Sequence, residues 1–437
     1  MTSYQLRTQA SQIAAESPTI LLDWFDSGRR RSTIQYHGAL RSRLAVPAAA
    51  LDLLKVAAAA YCADRLTERP GTWTRSIDLD IPVREFAAWS AVRDLFVEAV
   101  SFLSGDRWQL EVRGSTEPVS TPTELAASVD AVCLFSGGLD SFTGALDLLA
   151  DGKTVCLVGH HGAGQANQAQ QALWTALARR YKGRCILRRF FLQPAAPAAA
   201  QRRPLPSGRE SSQRSRSLLF LAAGLAVAAG YGPDVPLYIP ENGLIGINVP
   251  LTGARAGSLS TRTTHPHFIA SFSECVRQLG ITNPIVNPFR TMTKGEILAA
   301  CSDQKTLREL AGHTLSCAHP ETARWAQEEQ TNCGYCFPCL IRRASMHHVG
   351  LDRASDYTYD ALTDDAELAQ GKGSDLRALI RSLNRRSKPT DVLRNGPVPA
   401  EDVAAFARVY ERGRRETLAW MTAAAPSPAI RRQLPAL

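Results

Sequence analysis

The chain has 437 residues, 45% of them hydrophobic and 21% charged, a composition typical of a globular protein with two or three domains. No run of eighteen apolar residues occurs, and the N-terminus lacks the charged start and apolar core of a signal peptide. We therefore expect no membrane span and a cytoplasmic location. The formal charge of +9 is compatible with anionic ligands or nucleic acid.

Residues 1–125 are predicted to form a separate α+β domain. The apolar patterns predict strands at 32–37, 77–83 and 107–113 and helices at 52–65 and 84–103. A stretch rich in Ser, Thr and Pro at 115–123 marks the boundary. We find no catalytic constellation in this region, and we interpret His37, Asp78 and Asp80 as surface residues of strands.

Residues 126–350 show strands and helices in alternation. The predicted strands are 131–135, 154–158, 185–192 and 237–239, and the helices are 165–181 and 218–230. This order predicts an α/β fold with a doubly wound parallel sheet, which binds ligands at the carboxyl ends of its strands. Residues 351–437 are predicted to be a helical, arginine-rich C-terminal extension.

Two stretches interrupt this alternation. Residues 193–215 are rich in Pro, Ala, Arg and Ser and are interpreted as a flexible insertion or a mobile lid. Residues 241–264 are dominated by glycine and polar residues, so we expect a long ordered loop without a buried element. A helix is predicted to follow at 264–279.

The strongest local signal is Ser136-Gly137-Gly138-Leu139-Asp140-Ser141. It follows a buried strand and opens a helix, an arrangement that presents backbone N–H groups and a partial positive charge to a phosphate. Neither a Walker loop nor a Rossmann glycine pattern is present. The hydroxyls of Ser136 and Ser141 are further phosphate donors, and the carboxylate of Asp140 is a ligand type suited to Mg²⁺.

A second constellation consists of cysteines. Cys333, Cys336 and Cys339 form two consecutive C-x₂-C steps, and Cys317 precedes them. Because four thiolates in a closed tetrahedron suit structural Zn²⁺, zinc is the favoured interpretation. An iron–sulfur cluster is the alternative. His313 and His319 lie close in sequence and are alternatives to Cys317 as the fourth ligand, but surface or supporting positions are favoured for both.

Together these motifs resemble the QueC-type 7-cyano-7-deazaguanine synthases, a family of PP-loop ATP pyrophosphatases. The resemblance covers about residues 130–350. Its further matches, in order, are Gly164-Gln165, Arg216, Thr293-Lys294-Gly295-Glu296-Ile297, Ser316 and Arg342. It implies a PP-loop (HUP-like) sheet domain with a zinc-bearing helical tail.

The resemblance also implies an activity. QueC-type enzymes use ATP and ammonia to convert 7-carboxy-7-deazaguanine to the nitrile, so ATP, Mg²⁺ and Zn²⁺ are the implied cofactors. The implied ATP-binding residues are Ser136, Gly137, Gly138, Leu139, Asp140, Ser141 and Gln165. The implied catalytic residues are Asp140, Lys294 and Arg216, with a surface position as the alternative for the last two.

The long loop departs from the ordinary family. We assign Glu241, Asn242, Arg262, Thr263 and His265 to substrate binding there. With its long flanking regions, the chain resembles the expanded QueC-like proteins (QatC) of Qat-type anti-phage defence systems. A hypothesis follows: a partner protein of a defence operon binds the flanks, and one of its amines receives the activated carboxylate in place of ammonia.

Three other functions are compatible with the sequence. One is a standalone synthase of the queuosine pathway, which would make the free nitrile base. Another is a tRNA-modifying PP-loop enzyme of the thiolase type, for which basic charge would bind RNA and thiolates would transfer sulfur. The third is a nucleotide-dependent switch without catalysis. A nucleic-acid partner is therefore possible but not favoured.

Overall fold

A computed structural model describes residues 1–8, 19–24, 33–69, 71, 73–119, 121–161, 164–197, 205–255, 261–326, 332–363, 371–424 and 427–435. The strands of this part of the chain form two sheets. They are β1 (Thr2–Arg7), β2 (Ile20–Asp23), β3 (Ile34–Gly38), β4 (Ser76–Val83), β5 (Arg107–Gly114), β6 (Ala131–Leu134), β7 (Val155–His160), β8 (Cys185–Pro194), β9 (Leu237–Tyr238) and β10 (Ile285–Val286).

The described helices occur mainly between and after these strands. They are α1 (Ala48–Leu66), α2 (Phe86–Ser104), α3 (Leu139–Ala150), α4 (Gln165–Arg180), α5 (Arg216–Tyr231), α6 (Gly243–Ile247), α7 (Pro266–Gln278), α8 (Lys294–Ala300), α9 (Gln304–Leu310), α10 (Glu321–Trp325), α11 (Phe337–His348), α12 (Ser374–Asn384), α13 (Ala400–Ala424) and α14 (Pro428–Arg431). Helices α12 to α14 agree with the predicted helical C-terminal region. No helix in the described ranges is long and apolar enough to cross a membrane.

The larger sheet has the order β10-β9-β6-β7-β8-β3 and is parallel except for β3. Its two faces pack into different cores because alternate side chains of a strand point to opposite faces. Val132 of β6 belongs to the core that contains α1 and α5, whereas its neighbours Ala131 and Cys133 belong to the core that contains α3. Helices therefore cover both faces, and the predicted mixed α/β fold with a parallel sheet is confirmed.

The smaller sheet has the order β2-β1-β4-β5 and is entirely parallel. In β4, Ile77, Leu79 and Ile81 are buried, which is the alternation expected of a strand with one covered face. Strands β4 and β5 and helices α1 and α2 lie where the sequence predicts them. Strands β1 and β2 were not predicted, because each is short and their pairing with the sheet comes from distant residues.

Strand β3 lies in an unexpected place. It was predicted within a separate N-terminal domain, but it pairs antiparallel with β8 in the larger sheet, from Ile34↔Pro194 to Gly38↔Phe190. Gly38 permits this approach, since a Cβ there would lie 2.4 Å from the carbonyl oxygen of Arg189. The partition of the chain at residues 125 and 350 stays a prediction.

Helix α1 joins the two halves of the fold. Its residues Ala57 to Ala60 are all fully buried, and the helix packs against α5 in the apolar core that both sheets share. The segment before α1 also packs closely on α5, since a Cβ on Gly230 of α5 would lie 2.9 Å from the Cβ of Leu44. The first 125 residues and the larger sheet thus share one hydrophobic core.

The two irregular stretches are more structured than the sequence suggests. In the described part of the first, Ser215 donates from its backbone N–H and its hydroxyl to Asp64 Oδ2 of α1, at 2.9 and 2.6 Å. Residues 198–204 lie outside the described ranges. The second contains α6, so the expectation that 241–264 holds no buried element was wrong. Glycine made this helix possible, since a Cβ on Gly243 would lie 2.2 Å from the Arg290 carbonyl oxygen.

Candidate functional site

The loop at 136–141 connects β6 to α3 at the carboxyl edge of the larger sheet. Gly137 has a φ of +82°, a left-handed conformation that favours glycine. A Cβ on Gly137 would also lie 3.2 Å from Cγ of Gln170, which packs behind the loop. The Gln170 side chain donates from Nε2 to the carbonyl of Ser136 at 3.2 Å, and this contact fixes the loop from the α4 side.

Hydroxyl groups stabilise the turn. Ser136 Oγ accepts from the backbone N–H of Gly138 at 3.2 Å and lies 3.1 Å from Ser141 Oγ. Ser141 donates to the carbonyl of Gly138 at 3.0 Å. The N–H of Leu139 donates to Ser316 Oγ at 3.1 Å, so a distant segment also contacts the loop. The two serines predicted to bind phosphate thus first order the loop itself.

Asp140 lies in the first turn of α3 and is 5% exposed. Lys294 donates from Nζ to Asp140 Oδ1 at 2.5 Å. Asn242 donates to Asp140 Oδ2 from its side chain at 2.6 Å and from its backbone at 3.2 Å. The same Asn242 side chain donates to Glu241 Oε1 at 3.2 Å. The four residues, which come from three separate parts of the sequence, therefore form one polar cluster.

The two carboxyl groups of this cluster have opposite pKa shifts. Burial and the negative charge of Asp140 raise the pKa of Glu241 well above its ordinary value. Burial alone would also raise the pKa of Asp140, but the charge of Lys294 and the hydrogen bonds from Glu241 and Asn242 lower it below its ordinary value. The surroundings therefore favour the ionised form of Asp140 beside Lys294 and disfavour the ionised form of Glu241.

Lys294 is the first residue of α8 and is 7% exposed. Thr293 and Glu296 form a capping box at this helix N-terminus, which fixes the direction in which the helix starts. Thr293 Oγ1 also donates to Glu416 of α13, and Arg412 of α13 donates to Glu296 at 2.5 Å. The lysine is therefore presented by a helix start that the C-terminal region contacts.

A cleft of about 290 Å³ opens over this cluster. Its walls come from the loop at 136–141, from the start of α6, from Lys294 and from the segment around Cys317. The lining residues are Ser136, Gly138, Leu139, Asp140, Ser141, Pro240, Glu241, Ile245, Lys294, Leu315, Ser316, Cys317, Ala318, Pro338 and Ile341. Hydroxyls, a helix N-terminus, a carboxylate and an ammonium thus face one concave space.

The four cysteines form one cluster beside this cleft. The Sγ atoms of Cys317, Cys333, Cys336 and Cys339 all lie within 4.8 Å of one another. The separations are 4.0 Å between Cys317 and Cys336 and 3.8 Å between Cys333 and Cys339. A tetrahedral zinc with Zn–S bonds of about 2.3 Å requires S···S distances of about 3.8 Å. The donor set and its spacing therefore fit a structural zinc ion.

Backbone N–H groups point at these sulfurs, as expected around thiolates. The N–H of Ala318 donates to Cys336 Sγ at 3.4 Å, and the N–H groups of His319 and Cys333 both donate to Cys317 Sγ at 3.3 Å. Because Cys317 follows Ser316 directly, the cysteine cluster also holds the segment that accepts a hydrogen bond from Leu139 of the loop at 136–141.

Arg342 holds the residues that directly precede Ser316 and Cys317. It is 1% exposed and donates from Nη2 to the carbonyl of Ala311 at 2.7 Å and from Nη1 to Thr314 Oγ1. The backbone N–H of Ser316 also donates to Oδ1 of Asn332 at 2.9 Å. The arginine that follows the cysteines in the sequence motif therefore has a structural role.

Some predicted site residues lie apart from the cleft. Arg216, the first residue of α5, stacks on Phe220 at 5.0 Å, and burial lowers its pKa. Arg262 donates to the backbone of Phe102 and Asn395, at 2.8 and 2.9 Å, and so connects distant parts of the chain. Neither arginine lines the cleft.

The remaining predicted residues also stand outside the cleft lining. His265 is fully buried and is the N-cap of α7, with its Nδ1 accepting from the N–H of His267 at 3.3 Å. Thr263 lies in the turn before it. Gln165 begins α4, but its side chain lies outside the described part of the structure. The predicted ligand roles of these residues stay predictions.

Sequence reasoning missed two residues at the site. Gln170 supports the loop at 136–141, but one glutamine on a polar helix carries no signal in a single sequence. Ser316 accepts from Leu139, and its position beside Cys317 was noted only as part of a motif. Glu241 and Asn242 were assigned to substrate, whereas the structure brings them to Asp140.

The fold and site define a mixed α/β protein with parallel sheets and a four-cysteine cluster beside a polar cleft. No family model matches the chain. Curated 7-cyano-7-deazaguanine synthases of Leptospira interrogans serogroup Icterohaemorrhagiae, from serovars copenhageni and Lai, are each 25% identical to it over 236 residues. The match covers 51% of this chain and 88% of each relative, and it supports a distant relationship to the QueC-like family.

Proposed function

We propose that this protein is an ATP-dependent enzyme that activates the carboxylate of a 7-deazaguanine by adenylation. The observation that carries the proposal is the buried Asp140–Lys294 pair at the first turn of α3, with Glu241 and Asn242 beside it. The distant likeness to 7-cyano-7-deazaguanine synthases supplies the substrate class. A helix N-terminus and serine hydroxyls in the same cleft support a phosphate ligand.

In the proposed first step, a substrate carboxylate oxygen attacks the α-phosphorus of ATP. The bond to the pyrophosphate oxygen breaks, and an acyl adenylate and pyrophosphate form. We assign the loop at 136–141 and Lys294 to binding the negative charge of the phosphates. Mg²⁺, when bound, neutralises phosphate charge, and Asp140 is the carboxylate that would hold it. The protein then acts mainly by positioning reactants and excluding water.

The second step decides the product. Ammonia attacks the acyl carbon, AMP leaves with the bonding electron pair, and an amide and a proton are released. A second ATP then adenylates the amide oxygen with release of pyrophosphate, and loss of AMP and of the two amide protons gives the nitrile. If a partner-protein amine attacks in place of ammonia, the base becomes attached through an amide bond. We link that branch to an anti-phage defence role because of the altered loop at 241–264 and the long flanks.

The direct test uses the full chain with ATP, Mg²⁺ and 7-carboxy-7-deazaguanine, with and without ammonium. We expect AMP and pyrophosphate to form only when the base is present, as measured by chromatography. Asp140→Ala is expected to abolish product formation, whereas Asp94→Ala, which removes an exposed carboxylate of α2, should not. A wild-type rate in Asp140→Ala, or no AMP from the wild-type protein, would contradict the proposal.

The branch point has its own measurement. Candidate partner proteins co-expressed with this chain are analysed by mass spectrometry for a mass increase equal to the acylated base. An increase that requires Asp140 supports transfer to a protein amine. AMP formation and nitrile release without any protein mass increase would instead support the free-base synthase.

A further inference from the structure

Helix α13 contacts the N-terminus of α8, the helix that presents Lys294. Arg412 and Glu416 are four residues apart on α13 and therefore share one face of that helix. Arg412 donates from Nε to Glu296 Oε1 at 2.5 Å and from Nη2 to the carbonyl of Thr291 at 2.9 Å. Its guanidinium thus joins the loop before α8 to the first turn of that helix.

Glu416 contacts the next part of the same turn. Its carboxylate accepts from the hydroxyl of Thr293, which is fully buried, and from the backbone N–H of Gly295. The contact is close: a Cβ on Gly295 would lie 2.8 Å from the Glu416 carboxyl carbon. The residues on both sides of Lys294 are therefore bonded to one carboxylate of α13, which leaves the lysine backbone little freedom to move.

We propose that Glu416 and Arg412 are positioning residues for Lys294, through which the C-terminal helix sets the ammonium group against Asp140. The inference rests on the proposed function only for the catalytic importance of Lys294. It assigns a role to α13, which lies beyond the residues, about 130–350, in which the motifs of the QueC-type synthases occur. Because misplacing a catalytic group by about 1 Å costs roughly 100-fold in rate, loss of this contact should be visible in kcat.

The first readout does not depend on catalysis. Lysine amines of the full chain are acetylated with acetic anhydride, and the rate at each lysine is followed by mass spectrometry. Lys294 is buried and paired, so it should react slowly in the wild-type protein. We expect Glu416→Ala and Arg412→Ala to raise its reactivity several-fold. Lys153, which is far more exposed, serves as the internal reference.

The matched control is Glu411→Ala on the same helix. Glu411 accepts from the hydroxyl of Ser387 at 2.6 Å and pairs with Arg414, not with α8. Its removal should leave the reactivity of Lys294 and the rate of AMP formation unchanged. If Glu416→Ala fails to fold, the reactivity of Lys294 in Arg412→Ala tests the same inference.

The second readout is kinetic. Glu416→Ala should lower kcat for AMP formation by about 10- to 100-fold with a smaller change in KM. In a Lys294→Ala background the same substitution should have little further effect, since the two residues act through one group. Unchanged Lys294 reactivity overturns the inference, and so does raised reactivity with a wild-type kcat. If the wild-type chain forms no AMP, the proposed function fails, but the reactivity of Lys294 still decides whether α13 positions it.

Discussion

Lys294 and Asp140 form an ion pair at 2.5 Å, although 154 residues separate them in the sequence. Both side chains are nearly inaccessible to solvent, at 8% and 6% exposed. A buried ion pair contributes little net stability, but the loss of one partner leaves an uncompensated charge. The pair therefore links the loop at 136–141 to α8.

The first prediction concerns this pair. Lys294→Met should lower the free energy of unfolding by about 3 kcal/mol or more, because the Asp140 carboxylate loses its counter-ion in a buried site. The double variant Asp140→Asn/Lys294→Met should recover much of that loss, since it buries no unpaired charge. Urea denaturation of the single and double variants measures both values. Additive effects of the two substitutions would show that the residues do not interact.

The second prediction concerns the cysteine cluster. Purified protein should contain one zinc per chain, and Cys339→Ala should lose it together with thermal stability, because metal binding to such a site is coupled to folding. Metal analysis by mass spectrometry and a thermal melt provide the readouts. Cys275→Ala, which removes a buried thiol outside the cluster, should keep the metal. A brown, iron-containing protein would contradict the zinc assignment.

The third prediction is a pH dependence. Burial lowers the pKa of His265 to about 3, and Arg262 and His267 add to the effect. Below about pH 6.5 the unfolded chain binds a proton here that the folded chain does not. Stability should therefore fall as the pH drops from about 6.5 toward 3, by about 1 kcal/mol per pH unit from this group.

The substitution that tests this dependence is His265→Asn. Asparagine preserves the N-cap of α7, so the helix start is retained while the titrating group is removed. The free energy of unfolding, measured between about pH 7 and pH 5, should then depend less steeply on pH. His313→Asn replaces an exposed histidine and is the control. An unchanged slope in His265→Asn would contradict the prediction.

The fourth prediction concerns Gly243. Ala at this position would place a Cβ 2.2 Å from the backbone carbonyl of Arg290, and the backbone cannot yield without displacing α6. We expect Gly243→Ala to lower the unfolding free energy by about 1–3 kcal/mol, the usual range for overpacking. Because Asn242 lies next to it, ATP-dependent turnover should fall as well. Gly253→Ala is the control, since its Cβ would meet no atom within 4 Å.

The sequence predicted the local elements of this fold better than the contacts between them. The loop at 136–141 and the cysteine cluster were predicted because each is defined by residues close together in the chain. The pairing of β3 with β8 could not be predicted, because an edge strand of five residues carries no information about its partner. The burial of α6 was missed for a related reason: a glycine-rich pattern resembles a loop unless the opposing backbone is known.

The same limit applies to the site. Asp140 and Lys294 were selected from separate motifs, but the contact between them cannot be read from a single sequence. Glu241 and Asn242 were noticed as unusual, yet their contact with Asp140 depends on how α6 packs. Arg262 and His265 looked like ligands because polar residues in a long loop usually face solvent or substrate. In the structure both contact Phe102: the guanidinium carbon of Arg262 lies 4.4 Å from the centre of the Phe102 ring, and the centre of the His265 ring lies 5.2 Å from it.

The antiparallel strand Ile34–Gly38 has a consequence for any shortened form of this protein. A fragment that begins near residue 126 would retain the motifs at 136–141 and 317–339, but it would leave the backbone N–H and C=O groups along one side of β8 without partners. It would also expose the apolar face of α5 that α1 covers. An open strand beside an uncovered apolar helix is a template for self-association. We therefore expect the isolated central region to aggregate. In the full chain, β3 and α1 prevent this by covering the edge of β8 and the apolar face of α5.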